Sequence, residues 1–387
     1  MNLYFDQTAS TLPLPEILDL YLSLSKSTYA NPAAIHRLGY EAEQVIKQAR
    51  KDIAEVLRCR PENLLFTSCA TESINTALRG VIAAHPHGGR DIITWDIEHK
   101  ATLKTCAYLA QKGYNVRYLA TTGDLLPDLK ELRTALSRET ALISISLVNN
   151  ELGSHPDIAA IVKLRDSLAP QAIIHIDAVQ GWTKLPFYPL QTGVDLASFS
   201  GHKIYAPKGI GLLYIRKGLR IDPLILGGGQ QNGLRSGTEN PVLCACLARA
   251  AQIQTKSMAT NFAYVQDLHN FLVDGLNRAG LGCCPNLPAK YSPYILNVSF
   301  PGVNPETLAH ALADKEIYVA THSACSSSDN RSHVLDALPI DEARKTSALR
   351  ISLAPDHEKS DLTALIDALR EIVPKLRVKS QDSTLQR

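Results

Sequence analysis

The chain has 387 residues, 45% of them hydrophobic and 20% charged, with a formal net charge of +2; this is ample for one large domain and a smaller one, and the interspersed charges leave no nucleic-acid footprint. No run of about 18 apolar residues occurs, so no membrane-spanning helix is expected. Met1 leads almost directly into a strand-like stretch, with no room for a signal or transit peptide, and the eight cysteines read as reduced thiols of the cytoplasm.

Residues 3–11 read as a short strand running into a polar loop, and Pro13 and Pro15 precede a helical stretch over 16–24. After a loop holding Asn31 and Pro32, a longer helical pattern covers 39–57. Residues 64–67 read as a buried strand. The small and hydroxyl residues from Thr67 to Thr71 then turn into a helix over 72–84. Such a helix start leaves N–H groups pointing outward as an anion site, although an ordinary N-cap is the commoner outcome.

Short apolar runs at 91–94, 115–119, 141–148 and 172–176 alternate with helical patterns near 99–111, 127–137 and 157–168. The alternation predicts an α/β fold whose mostly parallel sheet carries helices on both faces. Ligands of such sheets sit outside the carboxyl ends of the strands. His99, Asn150, Asp177, Ser200 and Lys203 all fall at or shortly after such ends. Further strands are expected at 195–199 and 210–215, then one long helical stretch over 240–281.

The expected division is a large domain over 16–264 and a smaller C-terminal α/β domain over 265–387, with residues 1–15 associated with the smaller one. In the smaller domain, strands at 294–300, 317–320 and 348–353 alternate with helices near 304–315 and 358–373, the last closed by Pro374.

Lys203, at a strand end and hemmed by Ser200, Gly201 and His202, stands where an enzyme would place a Schiff-base amine. In a Gly/Pro-rich loop it could as well be a surface lysine. Upstream, an apolar strand ends at Asp177. Pyridoxal phosphate needs a lysine and a carboxylate brought to one ring. The segment 227–238 is glycine-rich without GxGxxG, so it carries no dinucleotide fingerprint. Cys244 and Cys246, and the adjacent Cys283 and Cys284, lack zinc-ligand spacing and a histidine cluster, so no metal is expected. Residues 321–331 are small, polar and serine-rich, the composition of a mobile loop. A cysteine there, Cys325, is no packing residue, since free cysteine prefers burial.

Eight motifs stand in order: Asn31-Pro-Ala-Ala-Ile-His36, Thr67-Ser-Cys-Ala-Thr-Glu72, Glu98-His99-Lys100, Val148-Asn-Asn-Glu-Leu-Gly153, His175-Ile-Asp177, Ser200-Gly-His-Lys203, Arg235-Ser-Gly-Thr238 and Ser323-Ala-Cys325. With them the chain resembles, from Leu3 to about Val373, the cysteine desulfurases of the class V aminotransferase superfamily, fold type I. The serine-rich segment around Cys325 resembles that of the group I enzymes.

The resemblance implies pyridoxal 5'-phosphate as cofactor and L-cysteine as substrate. The products would be L-alanine and a persulfide on Cys325, which passes its sulfur to an acceptor protein. Lys203 would anchor the cofactor and move a proton, with His99 stacked on the ring and assisting. Ala70, Thr71, Ser200 and His202 would hold the phosphate, joined by Thr238 from a partner subunit, which implies a homodimer. Asp177 would face the pyridine nitrogen and Gln180 the phenolic oxygen. Asn150 and Arg350 would bind substrate, arginine because its planar fork grips a carboxylate at two points.

Two positions depart from the family pattern: Cys69 and Ala354 stand where glycine is usual. Glycine takes positive φ freely, so Cys69 predicts a strained phosphate turn if φ is positive there. The rivals are a selenocysteine lyase or other class V lyase, and a non-catalytic sulfur-transfer scaffold. Cys325 favours the desulfurase over the first; Lys203, His99 and Asp177 favour it over the second. The acceptor pathway stays open among iron–sulfur assembly, tRNA thiolation and DNA phosphorothioation.

Overall fold

The computed structural model describes residues 2–321 and 331–377. Cys325 and its motif therefore lie outside the described residues. Seven strands form the main sheet, in spatial order Leu64–Thr67, Gly211–Ile215, Leu196–Ser200, Ile173–Asp177, Thr140–Ser146, Asp91–Trp95 and Asn115–Leu119. All run one way except Gly211–Ile215, which is antiparallel to both neighbours. This is the mostly parallel α/β sheet that the alternating pattern predicts.

Side chains alternate across a strand, and here both faces are covered. Ile92, Leu142 and Leu213 enter a core shared with Ile74 and Leu78 of helix Ala70–Ala84 and Leu109 of helix Lys100–Gln111. Ile93, Ile143 and Leu212, one residue along each strand, enter the larger core on the other side. That double burial is why the strands read as continuous apolar runs. His175 sits fully buried in the middle strand, its ring nitrogens 2.9 Å from the hydroxyls of Ser144 and Ser198. Burial pushes its imidazole down to about 3, so it is a neutral rivet between three strands.

A second sheet is antiparallel: Cys284–Pro285, Ile295–Ser299 and Ala348–Ser352. The N-terminal strand Leu3–Tyr4 pairs in parallel with Ile317–Tyr318. Bridges from Asp6 to Ser352 and from Ala320 to Arg350 join this pair to the second sheet. Helices Met258–Arg278, Pro305–Ala313 and Lys359–Leu376 pack beside these strands and against one another. No helix among the described residues is long and apolar enough to cross a membrane.

Two expectations need correction. The stretch 240–281 is two helices, Pro241–Lys256 and Met258–Arg278, meeting at Ser257. The Ser257 hydroxyl and N–H both reach the Ile253 carbonyl and close the first helix. Pro374 does not close the last helix but lies inside it: Lys359–Leu376 runs two residues past it, and the N–H of Arg377, the next residue, caps onto the Val373 carbonyl. Proline there forfeits a single backbone bond, in a last turn where carbonyls go unpaired anyway.

Candidate active site

Three adjacent strands end at Ser146, Asp177 and Ser200, and all three residues line one cavity of about 190 Å3. The cavity lies at the carboxyl edge of the parallel strands, as open α/β sheets require. Of the residues singled out in the sequence, Ala70, Thr71, His99, Asn150 and Asp177 line it. So do Gln180, Ser200, His202, Lys203 and Arg350. Thr238 does not: it is exposed, beside a separate hollow that it shares with Ser68, Gln231 and Arg235. Arg235 fixes that loop by an ion pair from its Nε to Glu72 at 2.9 Å, in the first turn of the helix that begins at Ala70.

Lys203 ends a short 3-10 turn, Gly201–Lys203, that directly follows the strand. Its ammonium donates to the carbonyls of Thr8 and Ala9, both at 2.6 Å. Asp177 accepts from the Val179 N–H at 3.0 Å. Burial pushes its carboxyl up to about 6, against the opposing pull of that N–H and of Lys203. A carboxylate so desolvated gains from a cationic partner in the cavity.

His99 is both a helix cap and a cavity residue. Its Nδ1 accepts from the Ala101 N–H at 3.1 Å at the start of helix Lys100–Gln111. Burial, then the charges of Lys203 and His333, push its imidazole down to about 4. The ring is therefore neutral near pH 7, with its proton on Nε2. Behind it, Glu98 is buried with Oε1 on the Ser146 N–H at 3.0 Å and Oε2 2.5 Å from the Ser146 hydroxyl. Burial pushes this carboxyl up to about 8.

Arg350 is fully buried, on the middle of strand Ala348–Ser352. Its Nη2 pairs with Asp6 at 2.7 Å and its Nη1 donates to the Asn150 carbonyl at 3.1 Å, while its Nε has no partner. The Ser200 hydroxyl is likewise buried and unpartnered. Two orphaned polar groups in one cavity are costly unless a ligand meets them.

The turn at Cys69 is not strained. Its φ of −169 and ψ of 170 are extended backbone, open to any residue, so the expectation of strain fails. The need for glycine lies across the sheet at Gly211, where a Cβ would stand 2.6 Å from the Cys69 carbonyl carbon. Ala354 is buried without positive φ and fits its place.

The flanks of the segment carrying Cys325 rest on the same wall. Ala320 exchanges backbone bonds with Arg350. Beyond the segment, Ser332 donates to Glu151 at 2.5 Å and His333 Nε2 lies 2.9 Å from the Glu98 carbonyl. Sequence reasoning missed Asp6, Thr8, Ala9, Ser146 and Lys184 as parts of this site. No group of three His, Cys, Asp or Glu among the described residues could hold a metal ion.

The family model for class-V aminotransferases matches residues 3–365. The chain is 38% identical over 383 residues to "Cysteine desulfurase IscS" of Klebsiella pneumoniae, covering 97% of this chain and 94% of the relative. It is equally similar to the protein of that name from Escherichia coli O139:H28. Among solved structures, a "NifS-like protein" superposes with a TM-score of 0.92 at 37% identity, over 97% of this chain and 100% of that one. A structure titled "SspA in complex with cysteine" gives 0.81 at 32% identity, over 92% of this chain and 99% of that one.

Proposed function

For this chain, which belongs to the class-V aminotransferase family, we propose a cysteine desulfurase that works with pyridoxal 5'-phosphate. The observation that carries the reading is one cavity faced by Lys203, Asp177, His99 and Arg350. The residues present fit the cofactor. Asp177 offers a desolvated carboxylate to a protonated ring nitrogen. The unpartnered Ser200 hydroxyl and the N–H groups that open helix Ala70–Ala84, with Thr71, suit a phosphate. His202 adds to that end, and Gln180 presents its amide. Bound there, pyridoxal phosphate supplies an electron sink that weakens the Cβ–S bond of the substrate.

The chain's own groups do the rest. Arg350 holds the carboxylate of L-cysteine, its unpartnered Nε giving one of the two donors, and the adjoining Asn150 borders the same space. Lys203 Nζ would hold the cofactor, and is placed to take the proton from the substrate Cα and to return it. His99, with its proton on Nε2, is placed to donate a hydrogen bond to the substrate sulfur. The thiolate of Cys325 attacks the substrate sulfur. A sulfur–sulfur bond forms, the Cβ–S bond breaks and its electron pair stays with Cβ, which takes up a proton; with the proton returned to Cα by Lys203 the product is L-alanine, and the persulfide is left on Cys325. The persulfide on Cys325 passes its sulfur to an acceptor protein. One flank of the segment carrying Cys325 bonds to Arg350 of the cavity and the other to Glu151 and Glu98, the chain neighbours of the cavity residues Asn150 and His99, which supports this role.

The active form is a homodimer. Thr238 lies away from its own chain's cavity on an exposed loop, as suits a contact to a partner's phosphate. Large apolar side chains, Leu12, Tyr29, Ile35 and Leu226, stand exposed on the same chain.

The test is sulfur-labelled cysteine with the Cys325→Ser variant. Wild type incubated without reductant retains label on the peptide holding Cys325. The serine variant binds cysteine but releases alanine and sulfide near background, because a hydroxyl is scarcely ionised at neutral pH. Near-wild-type alanine release by the variant, or label chiefly on Cys69, Cys244 or Cys283, refutes the reading.

A further inference from the structure

Lys184 has its side chain buried in a place that ordinarily excludes lysine. Among the described residues its contacts are an amide oxygen and an aromatic face, not a carboxylate: Nζ donates to Gln180 Oε1 at 3.3 Å and sits 5.5 Å from the centre of the Tyr294 ring. Burial, then the charge of Lys203, push its ammonium down to about 7. An unpaired buried ammonium is expensive, and a fold that keeps one holds it against that cost.

The bonds around it form a relay. Gln180 Nε2 donates to the Thr8 carbonyl at 3.0 Å, and the same carbonyl accepts from Lys203 Nζ at 2.6 Å. The Gln180 amide thus has an ammonium at its oxygen and a carbonyl at its nitrogen. Turned over, it would set NH2 against the ammonium and oxygen against the carbonyl, two repulsions in place of two hydrogen bonds. One N–H of that NH2 goes to Thr8, and the other remains for an oxygen in the cavity that Gln180 lines.

We propose that Lys184 is a positioning residue: by donating to Oε1 it locks the Gln180 amide with its NH2 towards the cofactor's phenolic oxygen, and in its protonated form it adds a positive charge beside Lys203. This rests on the pyridoxal-phosphate reading above. The groups facing the relay are few. Lys203 faces Lys184, the Tyr294 phenol lies over it, and Lys203 in turn faces Asp177, His99 and His202. A cation next to a titrating nitrogen lowers its proton affinity, and next to a phenolic oxygen favours the anion.

The experiment compares cofactor-loaded wild type, Lys184→Arg and Lys184→Met, without substrate, by titrating the visible absorption band of the bound cofactor with pH. Lys184→Arg, which stays charged, has a midpoint at or below that of wild type. In Lys184→Met it rises by about one pH unit, the scale of one nearby charge, and cofactor is lost several-fold faster on dilution. If Lys184→Met does not fold, Lys184→Gln, uncharged but able to donate to Gln180, gives the same rise. A midpoint in the uncharged variants within about 0.2 units of wild type, below the scale of a neighbouring charge, overturns the proposal, as does an arginine variant that moves with the methionine one. A wild-type protein that shows no visible band with pyridoxal phosphate overturns the cofactor reading itself, and the proposal with it.

Discussion

Replacing Arg350 with lysine tests the substrate clamp most sharply. The guanidinium divides its donors among three directions: Asp6 at 2.7 Å, the Asn150 carbonyl at 3.1 Å, and an Nε without a partner. A lysine at 350 keeps the charge and can still meet Asp6, so the fold survives. It has one point of contact where arginine has a fork, so a bound carboxylate loses one charge-assisted hydrogen bond. Such a bond is worth about 1.5–3 kcal/mol, or roughly a 10- to 150-fold loss in kcat/KM at 1.36 kcal/mol per decade. The loss falls on KM, since the carboxylate is held alike before and during reaction. The assay is alanine release over a range of cysteine concentrations, repeated with cysteamine, the same thiol amine without a carboxylate. Wild type and variant turn over cysteamine equally. An equal loss on both substrates, or a fall in kcat at unchanged KM, refutes the clamp.

Three further outcomes follow from the geometry. Lys203→Ala keeps the fold but no longer fixes cofactor to the chain on borohydride reduction; any label remaining on the peptide that spans position 203 assigns the anchor elsewhere. Cys69→Gly lowers thermal stability slightly, by about 0.5–1 kcal/mol from backbone freedom alone, and leaves cofactor affinity within about twofold; a gain in affinity would mean that strain exists after all. Glu98→Gln flattens stability against pH. Folding raises the Glu98 carboxyl from 4.5 to about 8, so the folded state holds a proton that the unfolded state has lost between those values. Wild-type stability therefore declines as pH rises through that window and levels above it. An amide does not titrate, and denaturant midpoints of the variant measured from pH 5 to 8 show a smaller decline; an equal slope assigns it to other groups.

The parts of the fold most legible in the sequence are those built from local pattern. Ile92-Ile93 and Leu142-Ile143 read as strand because both faces of the sheet are buried. Lys203 and Asp177 were legible because strand ends deliver side chains to one edge, and motif order linked them. What stayed hidden is non-local or carries no side-chain signature. Thr8 and Ala9 serve through backbone carbonyls, which any residue offers. Asp6 acquires its role from a strand bridge to Ser352, at the far end of the sequence. Lys184 carries no signal of burial in the sequence, and it is its packing against Tyr294 and its bond to Gln180 that show its place. The turn at Cys69 misled because the family's usual glycine suggests positive φ, while the close approach that excludes a side chain falls on Gly211 of a different strand.

The bond between Asp6 and Arg350 joins residues 344 apart in the chain. On a ribosome the N-terminal residues emerge first, and the arginine that holds them emerges only when nearly all of the protein has been made. The parallel sheet, with Asp177 and Lys203, precedes Arg350 in the chain, and Thr11 and Leu14 bond to the carbonyls of His202 and Tyr205 without it, but Asp6 gains its guanidinium partner only once residue 350 has been made. A chain that stops short of residue 350 therefore lacks the Asp6–Arg350 bond that closes one side of the cavity. The wall of the cavity at Arg350 is thus made from both ends of the polypeptide.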